Sequence, residues 1–122
     1  MAAIRISSNV FQCLSRSNVA VIHIVDSDQQ AVAQRFFTPT RAEFGGISGE
    51  PFQDGKTSAP VLRNLSAYVE CRVRRITEGE GHHAVVLMEV LEAEWRAPIR
   101  PLTIRESPWE YGGYYKGVGS VI

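Results

Sequence analysis

The chain has 122 residues, which is enough for one domain with a substantial hydrophobic core, so residues 1–122 are expected to form a single domain. Thirteen basic residues balance thirteen acidic ones, so no net charge draws the protein to nucleic acid or to an anionic membrane surface. The first residues lack the apolar segment of a signal peptide, and no apolar run is long enough to span a bilayer; a cytoplasmic protein is therefore expected.

A short strand and a short helix are predicted at the start of the chain. Ile4 and Ile6 flank Arg5, an alternation typical of the end of a strand. The three residues that follow are all good helix N-caps: Ser7, Ser8 and Asn9. Apolar residues then recur at helical spacing, at Val10, Cys13 and Leu14, and they predict a helix over residues 9–15. Because Cys13 and Cys71 both lie in apolar patterns, each is predicted to be a buried structural thiol.

A buried strand and a second helix are predicted next. The apolar, β-branched run from Val19 to Val25 is typical of a strand covered on both faces. Ser27 and Gln30 have the spacing of a capping box, which predicts that a helix begins there. Its apolar face comprises Val32, Ala33, Phe36 and Phe37. Pro39 ends this helix, and the glycines and prolines of residues 38–60 predict a long loop.

A long β-hairpin is the clearest prediction. In the first strand, residues 67–76, Val69, Cys71 and Val73 are expected to face the core, opposite Glu70, Arg72 and Arg74. A glycine-containing turn leads to a second strand, His83 to Trp95, whose apolar block from Ala84 to Met88 suggests cover on both faces. Leu102 to Ile104 is expected to form a last short strand, and residues 108–119 a loop.

Several segments, taken in order, resemble the flavin reductase-like, FMN-binding split-barrel family. The first group comprises the strand Val19 to Val25, the Asp28-Gln29 step and the helix end Gln34-Arg35-Phe36. The second comprises Ser58-Ala59-Pro60-Val61-Leu62, the strand Tyr68 to Val73, the turn Gly81-His82-His83 and Glu89-Val90. The chain departs from the family pattern where His82 replaces an aspartate, His23 an asparagine and Met88 a glycine.

The resemblance implies a fold, a chemistry and an assembly. The fold is a mostly-β split barrel with two short helices. The function is that of an FMN-binding oxidoreductase, an NAD(P)H-dependent flavin reductase that passes hydride from nicotinamide to FMN or FAD. The family tends to be homodimeric, and a partner monooxygenase is also implied. A non-catalytic flavin-binding module, or a degenerate barrel used for assembly, is the alternative from a different class.

The resemblance also implies site residues, each with a simpler structural explanation. His83, at the mouth of the hairpin, corresponds to a histidine near the flavin and nicotinamide, although a turn histidine is usually a surface residue. Ser7, Ser8 and Asn9 correspond to a turn that helps hold the FMN phosphate, and they also serve as helix caps. Phe36 and Trp109 are candidates for lining the flavin cleft; Phe36 is equally suited to the core. Trp109, Tyr111, Tyr114 and Tyr115 suit packing on their own domain or across a dimer.

Other kinds of site are not expected. The adjacent His82 and His83 point to opposite faces of a strand, so with His23 they make no metal site. The chain lacks the glycine-rich dinucleotide fingerprint, the P-loop and the serine-hydrolase elbow.

The resemblance begins only at the later part of the family domain. Ile4 to Asn9 is similar to the segment that follows the first strands of the family, which carry much of the phosphate site. A fragment, a start codon placed too late and a reduced relative are the three explanations. In each case this polypeptide is expected to hold FMN weakly or not at all, because charge-assisted hydrogen bonds contribute about 1.5–3 kcal/mol each.

Overall fold

The computed structural model describes residues 1–40, 42–43, 45–110 and 114–116, with side chains at all of these except Tyr114 and Tyr115. The described chain forms two compact units. The first unit contains residues 1–22, 54–61 and 68–94. The second contains residues 23–53 and 62–67 and the described residues from 95 onwards.

Strands dominate the described residues. In chain order the elements are β1 (Ala2–Arg5), α1 (Asn9–Ser17), β2 (Val19–Ile24), α2 (Gln30–Arg35), β3 (Ala42–Glu43), β4 (Gly46–Ile47), β5 (Phe52–Asp54), β6 (Pro60–Leu62), β7 (Ala67–Thr77), β8 (His83–Trp95), β9 (Trp109–Glu110) and β10 (Tyr114–Tyr115). The predicted mostly-β fold with two short helices is confirmed. No helix in the described part of the chain is long and apolar enough to cross a membrane.

A four-stranded sheet with the order β1-β8-β7-β2 forms the frame of the first unit. The predicted hairpin is confirmed: both of its segments are strands, they are neighbours in the sheet, and five residues join them. β1 runs antiparallel to β8, with Ile4 opposite Ala84 and Arg5 opposite His83. Cys71 and Val86 are fully enclosed on this sheet, as the apolar alternation predicts.

Two of the predicted patterns of burial are wrong. Apolar runs in β2 and β8 predict cover on both faces, yet Ile22 and Ile24 in β2 and Val85 and Leu87 in β8 are exposed. An apolar run shows that a strand tolerates burial on both faces, but another element must supply the second cover. Conversely, Glu70 shares a face of β7 with arginines but is only 1% exposed, because the turn at residues 55–58 packs over it.

The buried face of α1 also differs from the predicted one. Phe11 and Leu14, three positions apart, are buried, whereas Val10 and Cys13 are exposed. A short helix covers only a narrow stripe of surface, and the i, i+3 pair that contacts the sheet takes it. The prediction of a buried thiol is therefore right for Cys71, whose pKa is raised by burial, and wrong for Cys13.

In the second unit, α2 begins later than the capping-box prediction. The Ser27 hydroxyl lies 3.4 Å from the Asp26 side chain and does not cap the helix. Instead Gln29 precedes α2, and its backbone N–H donates to the Asp26 carbonyl at 2.9 Å. The Asp26 side chain accepts a hydrogen bond from the backbone N–H of Asp28. This turn and the predicted capping box need the same residues, so the turn forms in place of the box.

The predicted strand over residues 102–104 is absent from the second unit. A single bridge joins Asp26 to Pro101, and the Leu102 N–H donates to the Val25 carbonyl at 2.8 Å. The chain then turns, with the Ser107 N–H donating to the Thr103 carbonyl at 2.9 Å. Two regions predicted as loops contain short ladders instead, β3 with β4 and β9 with β10.

Candidate functional site

The turn between β1 and α1 is built around Ser8. Its hydroxyl donates to the Arg5 carbonyl at 2.7 Å and accepts from the Phe11 N–H at 3.1 Å, so this side chain joins the strand end to the first turn of the helix. Ser8 is the N-cap of α1, as its residue type predicts. Ser7 and Asn9 on either side are exposed, and the first turn of α1 carries no acidic residue.

His83 lies at the same end of the sheet as this turn. It is the first residue of β8 and stands opposite Arg5, two residues before Ser7. The Ile6 N–H donates to the His82 carbonyl at 2.9 Å, which extends the contact by one residue. His83 is half-buried, whereas His82 is exposed. The pairing of β1 with β8 therefore brings four of the predicted site residues, Ser7, Ser8, Asn9 and His83, to one edge of the first unit.

A buried carboxylate holds the turn that precedes β6. Glu70 accepts from the Lys56 N–H at 3.1 Å, from the Thr57 N–H at 2.7 Å and from the Thr57 hydroxyl at 2.5 Å. Burial alone raises the pKa of Glu70, but the hydrogen bonds of Thr57 and Lys56, together with the Lys56 charge, outweigh it and hold this pKa below its ordinary value. Glu70 is thus ionised, and its carboxylate fixes the backbone conformation of this turn.

A pocket of about 340 Å³ lies within the second unit. Its walls are mainly apolar and come from the end of β2, from α2 and the residue after Phe36, and from the turn before β9. The lining residues are His23, Ile24, Val25, Ala33, Phe37, Leu102, Thr103, Ile104, Ser107 and Trp109. Phe37 meets Trp109 edge to face, with ring centroids 4.9 Å apart.

His23 contributes a neutral imidazole to this pocket. Its Nε2 accepts a hydrogen bond from the Leu62 N–H at 2.9 Å, which requires the proton to be on the other ring nitrogen. Burial, and to a smaller extent the nearby Arg96 charge, together lower the pKa of His23 from 6.5 to about 4. The histidine at position 23 therefore adds no charge to the pocket at neutral pH.

The remaining predicted site residues, Phe36 and Trp109, occupy different environments in the second unit. Trp109 is buried and lines the pocket, whereas Phe36 is half-buried and lies outside the lining set, which contains its neighbour Phe37 instead. Both phenylalanines belong to the predicted apolar face. Both follow the last residue of α2, so the position at which the helix ends determines which of them enters the pocket. Tyr111 and the side chains of Tyr114 and Tyr115 lie outside the described residues.

Sequence reasoning missed two features of these sites. Glu70 alternates with arginines along β7, so no local signal marks it as buried; only the Lys56–Thr57 turn, more than ten residues away, reveals its role. Ser107 is also buried, and its hydroxyl accepts from the Trp109 N–H at 3.2 Å while lying 2.9 Å from the Ile104 carbonyl. A serine two residues before a tryptophan is a weak turn signal that could have suggested this.

The family of the chain follows from comparison with known sequences. The sequence model of the flavin reductase like domain matches residues 1–107, which is most of the chain. The chain therefore belongs to the flavin reductase-like domain family, and the sequence resemblance is confirmed.

Two relatives show which proteins share this domain. The reductase subunit HsaB of a flavin-dependent monooxygenase from Mycobacterium tuberculosis is 27% identical over 113 residues, covering 91% of this chain and 55% of the relative. The reductase component of a 4-nitrophenol 4-monooxygenase/4-nitrocatechol 2-monooxygenase from Rhodococcus opacus is 36% identical over 73 residues, covering 60% of this chain and 37% of the relative. The chain thus spans about half the length of the first relative and less of the second.

Solved structures show the same fold. The NADH:FAD oxidoreductase SgcE6 from Streptomyces globisporus superposes with a TM-score of 0.65 at 22% identity, covering 76% of this chain and 55% of that one. Since the identity is low, this likeness concerns the fold, and it confirms the predicted fold class.

Proposed function

We propose that this chain carries part or all of an NAD(P)H-dependent flavin reductase, which transfers hydride from a nicotinamide ring to FMN or FAD. Support comes from the family match over residues 1–107 and from relatives named as reductase components of monooxygenases. The name of the similar Streptomyces globisporus enzyme, an NADH:FAD oxidoreductase, supports the same chemistry. The flavin, when bound, supplies the hydride-accepting ring, so the protein needs no nucleophile of its own.

The observation that carries this proposal is the pairing of Arg5 with His83. It sets the Ser7–Asn9 turn and His83 at one edge of the first unit, where one ligand can reach both. We assign the flavin phosphate to the turn, because a helix start without acidic residues favours an anion. The Ser8 hydroxyl already caps α1, so Ser7 and Asn9 are the side chains that remain to contact the phosphate.

We assign His83 a positioning role. A half-buried imidazole at the edge of the sheet can hold a ring or a carboxamide by one hydrogen bond without taking part in proton transfer. Hydride transfer depends strongly on the distance and angle between donor and acceptor carbons, so a residue that orients either ring acts on the rate. The assignment of Phe36 and Trp109 to the flavin stays a prediction, as do the single domain and the absence of a metal.

We further propose a homodimer and a partner monooxygenase. Val85 and Leu87 in β8 are exposed apolar residues on a regular strand, a surface that a second copy of the chain can cover. The monooxygenase partner rests on the names of the two relatives, each a reductase component of such an enzyme. Reduced flavin passing from this chain to an oxygenase would complete that reaction.

The test of the reductase proposal is the substitution His83→Ala, with His82→Ala as the matched control. With flavin in excess and NADH added in a stopped-flow instrument, H83A is expected to reduce flavin about tenfold or more slowly, since small misplacements of reacting atoms are costly. His82 is the exposed neighbour in the same turn, so H82A should keep the wild-type rate.

Two readouts accompany the rates. Circular dichroism should show the same fold for both variants, because neither side chain lies in the core. Titration with FMN tests the expectation of weak binding independently of turnover. Equal rates for H83A and wild type would return His83 to the role of an ordinary surface residue.

A further inference from the structure

Arg5 is a cationic residue that the sheet of the first unit places directly beside His83. The register of β1 and β8 sets these two residues opposite each other, and it sets Ile4 opposite Ala84. Directly opposed residues of an antiparallel pair project from the same face of a sheet, with Cβ atoms about 4.5–5.5 Å apart. Ala84 is fully buried, so the side chains of Arg5 and His83 project from the other, outer face.

The backbone of Arg5 is held by two sets of contacts. The pairing of β1 with β8 is the first. The second is at the Arg5 carbonyl, which accepts from the Ser8 N–H at 3.1 Å and from the Ser8 hydroxyl at 2.7 Å. These hydrogen bonds begin the turn that leads into α1. Arg5 therefore lies at the junction between that turn and His83, and backbone contacts that need no ligand fix its position there.

The guanidinium of Arg5 is exposed and has no acidic partner among the residues that the structure describes. Three other arginines each pair with a glutamate: Arg35, Arg74 and Arg100. The turn before His83 carries Glu78 and Glu80, which are exposed, and within the described chain neither pairs with Arg5. A cation without a counter-charge favours an anionic ligand, and the planar fork of arginine matches the oxygens of a phosphate.

We propose that Arg5 binds a phosphate group of the nucleotide whose ring His83 orients. This role rests on the proposed reductase function, because FMN, FAD and NAD(P)H are all nucleotides that carry phosphate. Two sources supply such a group, the flavin phosphate and the pyrophosphate of the nicotinamide dinucleotide. In the first case Arg5 acts together with the side chains of Ser7 and Asn9. In both cases the guanidinium makes the site selective for the phosphorylated ligand over its phosphate-free counterpart.

Equilibrium binding of two pairs of ligands tests this role without turnover. The first pair is FMN and riboflavin, which lacks the phosphate. The second pair is ADP-ribose and adenosine, which lacks the pyrophosphate. Arg5→Gln is expected to weaken the binding of FMN, of ADP-ribose or of both about tenfold, because charge-assisted hydrogen bonds are lost. Binding of riboflavin and adenosine should be unchanged, and ligand-observed NMR or calorimetry measures even weak affinities of this kind.

Two further variants separate the position of the cation from its charge. Arg16 is an exposed arginine in the last turn of α1, about 10 Å along the helix axis from Asn9. Arg16→Gln removes the same charge as Arg5→Gln and should keep the wild-type affinities. Arg5→Lys keeps the charge without the planar fork, so its affinities should lie between those of the wild type and Arg5→Gln. Added salt should weaken binding of the phosphorylated ligand more in the wild type than in Arg5→Gln.

The two ligand pairs also identify which phosphate is bound. A loss confined to FMN assigns Arg5 to the flavin phosphate, and a loss confined to ADP-ribose assigns it to the dinucleotide. Three results would overturn the proposal: no preference of the wild type for either phosphorylated ligand, unchanged affinities in Arg5→Gln, or an equal loss in Arg16→Gln. None of them depends on flavin reduction, which the His83→Ala test measures, so failure here and failure of the reductase proposal are distinguishable.

Discussion

Each of the two units buries one glutamate, and the two carboxylates are held by different kinds of partner. In the first unit Glu70 is bound by two backbone N–H groups and a hydroxyl from Lys56 and Thr57. In the second unit Glu50 accepts from the Arg35 guanidinium at 3.2 Å and from the Asn64 amide at 3.2 Å. Backbone donors cannot move away when their acceptor is lost, whereas long side chains can.

The difference shows how each carboxylate stabilises its surroundings. Glu70 defines the conformation of a turn, in which Ser58 adopts a left-handed backbone with φ of 68°. The Glu50 side chain instead links α2 to the residues after β6. The Glu50 backbone closes a tight turn, in which it forms reciprocal hydrogen bonds of 2.8 Å with the Ile47 backbone. The Arg35 side chain is half exposed, so water can replace the carboxylate there.

The largest effect is expected from Glu70→Ala compared with Glu50→Ala. Removal of Glu70, which is only 1% exposed, leaves three donors without their buried acceptor, and this should lower the free energy of unfolding by about 3 kcal/mol or more. Removal of Glu50 frees side chains that water can reach, and about 1–2 kcal/mol is expected. Urea unfolding followed by circular dichroism measures both.

The variant Glu70→Gln serves as the control for this pair, since it preserves side-chain volume and one acceptor oxygen. Its stability should lie between those of the wild type and Glu70→Ala. If Glu50→Ala proved as destabilising as Glu70→Ala, the distinction between backbone and side-chain partners would be wrong.

A smaller effect is expected from adding a methyl group next to each buried glutamate, against the backbone of Glu50 and against the carboxylate of Glu70. At Gly46 a new Cβ would lie 2.7 Å from the Glu50 backbone oxygen, and at Gly55 it would lie 2.6 Å from the Glu70 carboxylate. Both contacts require the neighbour to move, so Gly46→Ala and Gly55→Ala should each cost about 1–3 kcal/mol.

Gly79→Ala is the matched control for these substitutions, because a Cβ there meets no atom within 4 Å. Its thermal midpoint should stay at or above that of the wild type. The two glycines should also differ in their effect on Glu70. Gly55→Ala, but not Gly46→Ala, should raise the pKa of Glu70, and NMR titration of that carboxyl carbon measures this. An unchanged Glu70 pKa in Gly55→Ala would show that the carboxylate is not displaced.

The smallest effect is expected in the pH dependence of the free energy of unfolding. It arises from His23, whose side chain is half-buried. The unfolded imidazole takes up a proton near its ordinary pKa of 6.5, whereas the folded one does so only near 4. The contribution of His23 to the free energy of unfolding is therefore fully present above pH 6.5, and it is lost as the pH falls towards 4. Glu70 adds its own loss at lower pH, below its ordinary value of 4.5, so the His23 contribution is best measured between pH 6.5 and 5.

His23→Gln tests this contribution, because a glutamine oxygen can accept from the Leu62 N–H without titrating. The stability of this variant should vary less between pH 6.5 and 5 than that of the wild type. His82→Gln makes the same substitution at an exposed position and serves as the matched control. Equal slopes for all three proteins would show that His23 does not resist protonation.

The sequence by itself determined the long elements of the first unit. The alternation in β7 and the turn after it predicted the hairpin within one residue of its observed bounds, and three N-cap residues predicted the start of α1 at Asn9. Spacing and capping are local properties, so they can be recognised without a partner element. The matched segments likewise identify the family from the sequence alone, and they place His83 at the mouth of that hairpin.

Tertiary structure alone decided which faces these elements bury and how the sites are built. Phe11 rather than Cys13 faces the core, Phe37 rather than Phe36 enters the pocket, and Glu70 is covered by a turn more than ten residues away in the chain. The capping box at Ser27 gave way to an Asp26 turn tied to residues 100–101, and the expected strand at Leu102 was replaced by a single bridge. In each case the local pattern permits several arrangements of similar free energy, and contacts between segments distant in sequence select one of them.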